Sequence, residues 1–451
     1  MKECLVAVDS WYKPGSPPAN RRPRLISGDI NWIVLLLPIA LGIRTHSQLL
    51  ALLCVAALAI ATFVTAPGKQ HSLRLGPLVL LAVSAAVVYV RSDIRYIGLF
   101  FVIWLFLVVR LVVTVDARVI IVSLFDGIGL YLIINVLGYA VGLRSPNAAD
   151  RIGGLVEATG FVRRIYPFSA SLDAVPTIAA AYVAALIFFL RDSSSKRRGF
   201  RLAGAFAAAN VLYGGGARTG IVIALLLPLA VVVFPPVIRL MAQAATVFAS
   251  ISVLIVPAIS RAVAFIFVPI VSILTPNRTA SATNVASLSN RDIIWSRSIN
   301  YWFEYVPDAG NQLFGFGQNG QYLSGASRTY RSLLLSVSRN PDLGSVHNSF
   351  LQQLYDGGLI GLILLFTAIF WTANRLSRGV REWGSAGIGL IVLLSAFLLA
   401  GIPQVSLAPG FSQEAFWLLI VIAAISCQGL ADGGSESKQA AGLTVLQAQS
   451  D

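Results

Sequence analysis

Residues 347–361 read His347-Asn-Ser-Phe-Leu-Gln-Gln-Leu-Tyr-Asp-Gly-Gly-Leu-Ile-Gly361, where a polar stretch of about seventy residues gives way to an apolar run. His347, Phe350, Leu351, Leu354, Gly358 and Gly361 recur at steps of three or four, the spacing of one helix face. Gly357 and Gly361 have the small-xxx-small spacing that lets a membrane helix approach its neighbour closely. The spacing therefore predicts a tightly packed helix with the His347 imidazole on its first turn, at a membrane surface.

The rest of the chain supplies the membrane. Of its 451 residues 56% are hydrophobic and only 12% charged, with mean hydropathy +0.76. A soluble domain carries about 25% charged residues. Apolar runs recur at 30–43, 48–66, 76–90, 96–113, 119–143, 172–190, 202–214, 220–236, 242–259, 348–372, 386–401 and 412–430. A helix needs roughly twenty apolar residues to cross a bilayer, and these runs approach that length. The pattern predicts an all-α integral membrane protein with about twelve transmembrane helices. Segment 262–274 is too short to span and reads as interfacial or re-entrant. Residues 1–28 form a polar, Pro- and Gly-rich cytoplasmic tail, 29–430 one polytopic membrane domain, and 431–451 a second cytoplasmic tail.

A net charge of +14 invites a nucleic-acid reading, but the basic residues lie at the ends of apolar runs, where topology and lipid headgroups explain them. Arg191, Lys196, Arg197, Arg198 and Arg201 crowd one connection, and Arg375, Arg378 and Arg381 another. With twelve spans both lie on the side of the N-terminus, which is then cytoplasmic. All five lysines fall there too. The polar loops 144–171 and 275–346 then face outward, the second of them just before the last three spans. A multi-pass protein of the plasma (inner) membrane follows, with its chemistry on the extracytoplasmic side. Cys4, Cys54 and Cys427 show no paired spacing, and no His/Cys/Asp/Glu cluster marks a metal, so neither metal nor cofactor is expected. There is no Gly-x-Ser-x-Gly elbow for acyl transfer.

Loop 275–346 carries Arg278, Arg291, Arg297, Arg328, Arg331 and Arg339 and no lysine. Guanidinium groups are planar and fixed in charge, and they hold phosphate oxygens in a bidentate way. Trp295, Tyr301, Trp302, Phe303, Tyr305 and Tyr322 offer faces on which sugar rings stack; the alternative is that they pack the loop onto the membrane. Leu313-Phe-Gly-Phe-Gly-Gln-Asn-Gly320 reads as a tight turn with close backbone approach. In Tyr213-Gly-Gly-Gly-Ala-Arg-Thr-Gly220, Arg218 starts a helix, whose free N–H groups and partial positive charge welcome an anion. A snorkelling interface anchor is the other reading of Arg218. His347 is either a hydrogen-bonding structural histidine or a base that a helix N-terminus keeps neutral.

Together these elements resemble the O-antigen ligase and O-antigen polymerase superfamily. Val346-His347-Asn348-Ser349-Phe350-Leu351, with Gly357/Gly358 and Gly361, is similar to that family's His-Asn-x-x-Leu…Gly-x-x-Gly signature. Gly216-Ala-Arg218-Thr-Gly220 is similar to its Ser-Arg-x-Gly element, with Ala217 where Ser is usual. Arg291-Asp-Ile-Ile-Trp295 resembles its Arg-x-x-x-Trp segment, and Leu313–Gly317 its Leu-x-Gly-x-Gly turn. The resemblance implies a metal-independent glycosyltransferase of the GT-C type. Its donor would be a glycan on polyprenyl diphosphate, and its acceptor a hydroxyl of a glycan, lipid or protein. It implies that Arg218 and Arg291 hold the diphosphate, that His347 is the catalytic base, and that Trp295, Trp302, Tyr305 and Asn348 lie near the sugars. Such a function belongs to cell-surface polysaccharide synthesis, lipopolysaccharide included. The motifs do not separate ligase from polymerase. The competing class is a transporter of a small anion or a lipid-linked sugar, which would show interrupted helices in two related halves. Pro38, Pro176, Pro228 and Pro257 interrupt apolar runs without a two-fold pattern.

Overall fold

The computed structural model describes residues 30–65, 71–92, 95–146, 164–191, 193–252, 254–255, 290–335, 340–410 and 413–428. Both predicted tails, the segment 262–274 and the start of the large loop lie outside the described residues. Each of the twelve apolar runs is helical where described: α1 (Trp32–Ile43), α2 (Gln48–Thr65), α3 (Gly76–Val90), α4 (Arg95–Thr114), α5 (Ala117–Ala140) and α6 (Ala174–Leu190) come first. They are followed by α7 (Ser195–Gly214), α8 (Arg218–Val233) and α9 (Pro235–Ser252). The large loop contributes α10 (Arg291–Tyr305) and the short α11 (Ala309–Phe314) and α12 (Gly320–Leu323). The chain closes with α13 (Ser349–Trp383), α14 (Ser385–Ala400) and α15 (Glu414–Cys427). Among the described residues the one β-type contact is an isolated bridge between Leu73 and Gln428.

Side-chain caps set several of the starts. Asn31 accepts from the N–H groups of Ile33 and Val34, Asp116 from Arg118, and Asn348 from Phe350 and Leu351. Four helices, α2, Tyr96–Thr114 of α4, α5 and Ser349–Val380 of α13, are long and apolar enough to cross a membrane. A fifth is added if α8 and α9, bent by 113° at Phe234, form one broken span. Five further apolar helices, α1, α3, α6, α14 and α15, are shorter, and the chain is a membrane-embedded helical bundle. Two of the short helices, α14 and α15, are the innermost. All of α15 and all but one residue of α14 beyond its first are buried, and at 14 residues α15 reaches only about 21 Å. A helix that protein covers on every side has no need to match the bilayer thickness.

Two expectations are corrected. The basic connection at 191–201 is mostly helix, because Ser194 caps α7 seven residues ahead of the predicted run and Arg201 is drawn inward to Asp126. Likewise α13 runs on to Trp383, so Arg375 and Arg378 lie on its last turns. The second correction concerns the opening stretch. Gly358 does not continue the helix but breaks it, with φ 65° and ψ −166°. Gly357 and Gly361 do meet a neighbour closely, as predicted. The Ser84 hydroxyl of α3 donates to the Gly361 carbonyl at 2.7 Å, and Val88 stands 3.3 Å from where a Gly357 Cβ would be.

The bundle has two distinct ends. At one, Arg164 N–H donates to Gly214 O, the Tyr131 hydroxyl to Phe168 O, Ala170 N–H to Glu414 Oε1 and Ser349 N–H to Gly401 O. These bonds gather the C-termini of α5, α7 and α14 with the N-termini of α13 and α15 beside the large loop. At the other, Gln428 Nε2 donates to Val112 O and Val115 O, and Arg375 to Arg74 O. Residues 290–346 carry a small core of their own, in which Ile294, Trp295, Trp302, Val306, Ala326 and Tyr330 pack on Val346, Leu351 and Tyr355. This seats the loop on the first turns of α13.

A Cβ at Gly358 would stand 2.4 Å from the Leu313 carbonyl, in a left-handed backbone that only glycine adopts freely. Gly358→Ala is expected to lower unfolding stability in detergent by about 2 kcal/mol or more. Gly98→Ala, in open space within α4, should be neutral or stabilising by up to about 1 kcal/mol; equal midpoints for the two variants would refute the role given to the break.

Candidate functional site

The broken helix and the glycine turn of the large loop are built into each other. The N–H groups of Phe316 and Gly317 donate to the carbonyls of Tyr355 and Asp356, each at 2.9 Å. Those carbonyls belong to the last turn before Gly358 and have lost their helical partners, so the loop completes the interrupted ladder. Gly320 N–H donates to Asp356 Oδ1 at 2.7 Å. Added Cβ atoms at Gly315, Gly317 and Gly320 would fall 2.2–2.6 Å from the backbones of Asp356, Arg91 and Tyr355. Arg91, at the end of α3, donates to the Gly315 carbonyl, and the Ser92 hydroxyl accepts from Gln318 N–H at 2.8 Å. Gln352 Nε2 binds both Asp356 Oδ1 (2.8 Å) and Gln321 Oε1 (2.6 Å).

His347 lies two residues before the first helical residue rather than on the first turn. Its φ of 50° puts a non-glycine residue in the left-handed region, where His is among the few tolerated types. Such strain is held by its surroundings, and here the holder is Asn348. Asn348 is fully buried. Its Oδ1 caps α13 and its Nδ2 donates to Ser252 Oγ of α9 (3.2 Å) and Ile402 O (3.0 Å). Every hydrogen-bonding position of that amide serves the fold, which corrects the expectation that Asn348 meets a sugar. The next residue makes a similar link: the Ser349 hydroxyl donates to Gln404 O and accepts from Leu407 N–H.

Arg218 is the first residue of α8, following the left-handed Gly216. Ala217 stands at its N-cap and offers no side-chain cap, the consequence of Ala in place of Ser. Arg291 is the first residue of α10, after the left-handed Asn290. Both arginines are half-buried and stand at helix N-termini, beside the loop end of the bundle. Trp295 and Trp302 are corrected as sugar platforms. Trp295 is 0% and Trp302 3% exposed, in the core of the loop, where Trp302 meets Tyr355 edge-on at 5.2 Å. Tyr305 is 64% exposed and stacks on Tyr301 at 5.3 Å, so it does present a free aromatic face. Burial raises the Tyr330 phenol far above its usual range, which keeps it a donor to Gly344 O at 2.9 Å.

Sequence reasoning passed over a buried charged group at the same end. Arg44, at the end of α1, lies 3.9 Å from Glu414 of α15, each side chain 1% exposed. The guanidinium lies 6.0 Å from the Trp417 ring, and Glu414 Oε1 also accepts from Ala170 N–H at 3.0 Å. The available signal was two charged residues, Arg44 and Glu414, at the edges of apolar runs, since charges there are expensive and keep a role.

No family model matches the chain, and no curated protein matches it.

Two expectations follow. Arg44→Met or Glu414→Met alone leaves a buried charge and should cost about 3–5 kcal/mol of stability, much of it recovered in the double variant; additive losses in a double-mutant cycle would show the pair to be uncoupled. His347→Gly should unfold at a higher temperature than His347→Ala, by a margin equivalent to about 1 kcal/mol, because glycine accepts the left-handed backbone.

Proposed function

We propose that this chain is an O-antigen ligase-like glycosyltransferase that moves a glycan from polyprenyl diphosphate to an acceptor hydroxyl. In this reading all twelve apolar helices belong to the membrane domain, and the loop end faces out of the cytoplasm at the plasma membrane. The observation that carries it is His347, held in a left-handed conformation at the mouth of an apolar helix that breaks three turns below. A strained histidine and irregular backbone at membrane depth are costly, and both are retained where a site needs them.

The chemistry runs as a single displacement. The acceptor hydroxyl oxygen attacks the anomeric carbon and forms the new C–O bond, while His347 takes the hydroxyl proton. The bond from that carbon to the phosphate oxygen breaks, and its electron pair leaves with polyprenyl diphosphate. Arg218 and Arg291, aided by their helix N-termini, offset the charge growing on the leaving group. The polyprenyl chain stays among the apolar helices, which accounts for a catalyst embedded in lipid. Of Trp295, Trp302 and Tyr305, it is Tyr305 that has an exposed ring to stack on a sugar. Whether the acceptor is a lipid core or protein, or a second growing glycan, separates ligase from polymerase. A ladder of chain lengths from one repeat unit would identify a polymerase.

One observation favours the transporter reading. Two apolar segments are interrupted, at Gly358 of α13 and by the 113° bend between α8 and α9, and discontinuous helices line many carrier sites. Formation of a glycosidic bond decides between them.

With polyprenyl-diphosphate glycan, an acceptor and a chelator, purified protein should release polyprenyl diphosphate. Arg218→Ala, Arg291→Ala and His347→Ala should each slow release by at least ~10²-fold at equal protein level. A variant of near-normal rate removes its residue from the mechanism, and donor binding without release by the wild type supports the carrier.

A further inference from the structure

One element of the large loop, α11, reaches past the first turns of α13. The Leu313 carbonyl stands 2.4 Å from where a Gly358 Cβ would be, so α11 ends against the broken interior of α13. On its other side the Arg91 guanidinium, just past the end of α3, donates to the carbonyls of Gly310 (3.4 Å) and Gly315. Asp308 caps the start of α11, its Oδ2 accepting from Asn311 N–H at 2.8 Å, and Gln312 Nε2 donates to Val306 O at 2.6 Å. The polar side chains of this segment thus bond its own backbone.

Its two large apolar side chains are turned out instead. Leu313 and Phe314 are each 43% exposed, and neither joins the core of the bundle or the small core of the loop. Apolar residues exposed singly need no explanation, but these two continue an existing surface. On α13 beyond the break, Leu359, Ile363 and Phe370 are exposed, and on α3 Val79, Val83 and Val90. Each set advances by four residues and then seven, which keeps it on one face of its helix. Leu359 follows Gly358 and Val90 precedes Arg91, so both stripes end where α11 is held. In a membrane-embedded bundle such stripes face acyl chains.

We propose that α11 is immersed in the lipid leaflet on the loop side of the membrane, with Leu313 and Phe314 among acyl chains and Arg91 at headgroup level. The occupant of this face is the host bilayer, because the segment is held at the ends of two lipid-facing stripes and adds two apolar side chains to them. Interfacial segments settle roughly 5–10 Å into the boundary between headgroups and chains, and one that bonds its own polar groups enters at little cost. Arg91 suits that depth, since its stem is apolar while its charged head stays near phosphate and water. The glycine turn at 315–320 is then fixed from two sides, by the backbone of α13 and by the anchorage of α11 in lipid.

The test uses the full chain in phosphatidylcholine nanodiscs, whose two faces are both open to solutes. Phe314→Trp, Ile363→Trp and Glu304→Trp each replace an exposed residue and add one tryptophan to the eight of the chain. The added emission is the difference from the wild type. With lipid brominated on its acyl chains, Phe314→Trp and Ile363→Trp should each lose about half of that emission, while aqueous iodide changes it by no more than about 10%. Glu304→Trp, on α10, should respond to iodide and not to bromine. Emission at 314 that bromine does not quench overturns the proposal: iodide quenching then places α11 in water, and quenching by neither agent places protein over it, a second copy included. Equal bromine quenching at 304 would make lipid contact a property of the whole loop and overturn its assignment to α11.

Discussion

The docking of a glycine turn into a broken helix is the constraint on which the loop end depends. Once Gly358 leaves the helical region, the carbonyls of Tyr355 and Asp356 must find partners, because an unbonded carbonyl in an apolar interior costs several kcal/mol. Residues 315–320 supply those partners only by bringing backbone against backbone. Glycine at 315, 317 and 320 is therefore a packing requirement as much as a conformational one. With the turn in place, α10 can rest Trp302 on Tyr355, and residues 290–346 become a cap on the bundle.

The same logic sets the environment of His347. Asn348 holds α9, the start of α13 and the segment after α14 through one buried amide. His347 sits next to this anchor and takes up the turn between loop and helix with a positive φ. A backbone fixed in this way places His347 at the junction of three elements that are distant in sequence.

Charge is arranged differently at the two ends. At the loop end, Arg44 and Glu414 are paired and enclosed. At the basic end, two arginines, Arg197 and Arg201, share Asp126. Buried ion pairs are weak evidence of stability, since replacing them with apolar packing is often neutral or better. Their presence in a chain with only 12% charged residues points to positions chosen for what they do.

The sequence by itself determined the all-helical, membrane-embedded class, because apolar runs of this number and length have no other stable form in lipid. It also located the twelve helices, the close approach at Gly357 and Gly361, and the tight turn at 313–320, each carried by local spacing. Several things were decided by the tertiary structure alone: the break at Gly358, the burial of Trp295 and Trp302 and the use of Asn348 as an anchor. So was the pairing of Arg44 with Glu414, 370 positions apart. A helix-period pattern cannot show that one of its glycines faces a backbone from another segment. An aromatic in a polar loop likewise looks the same whether it waits for a sugar or fills a small core. Those outcomes depend on which distant groups arrive, and only the folded chain brings them together.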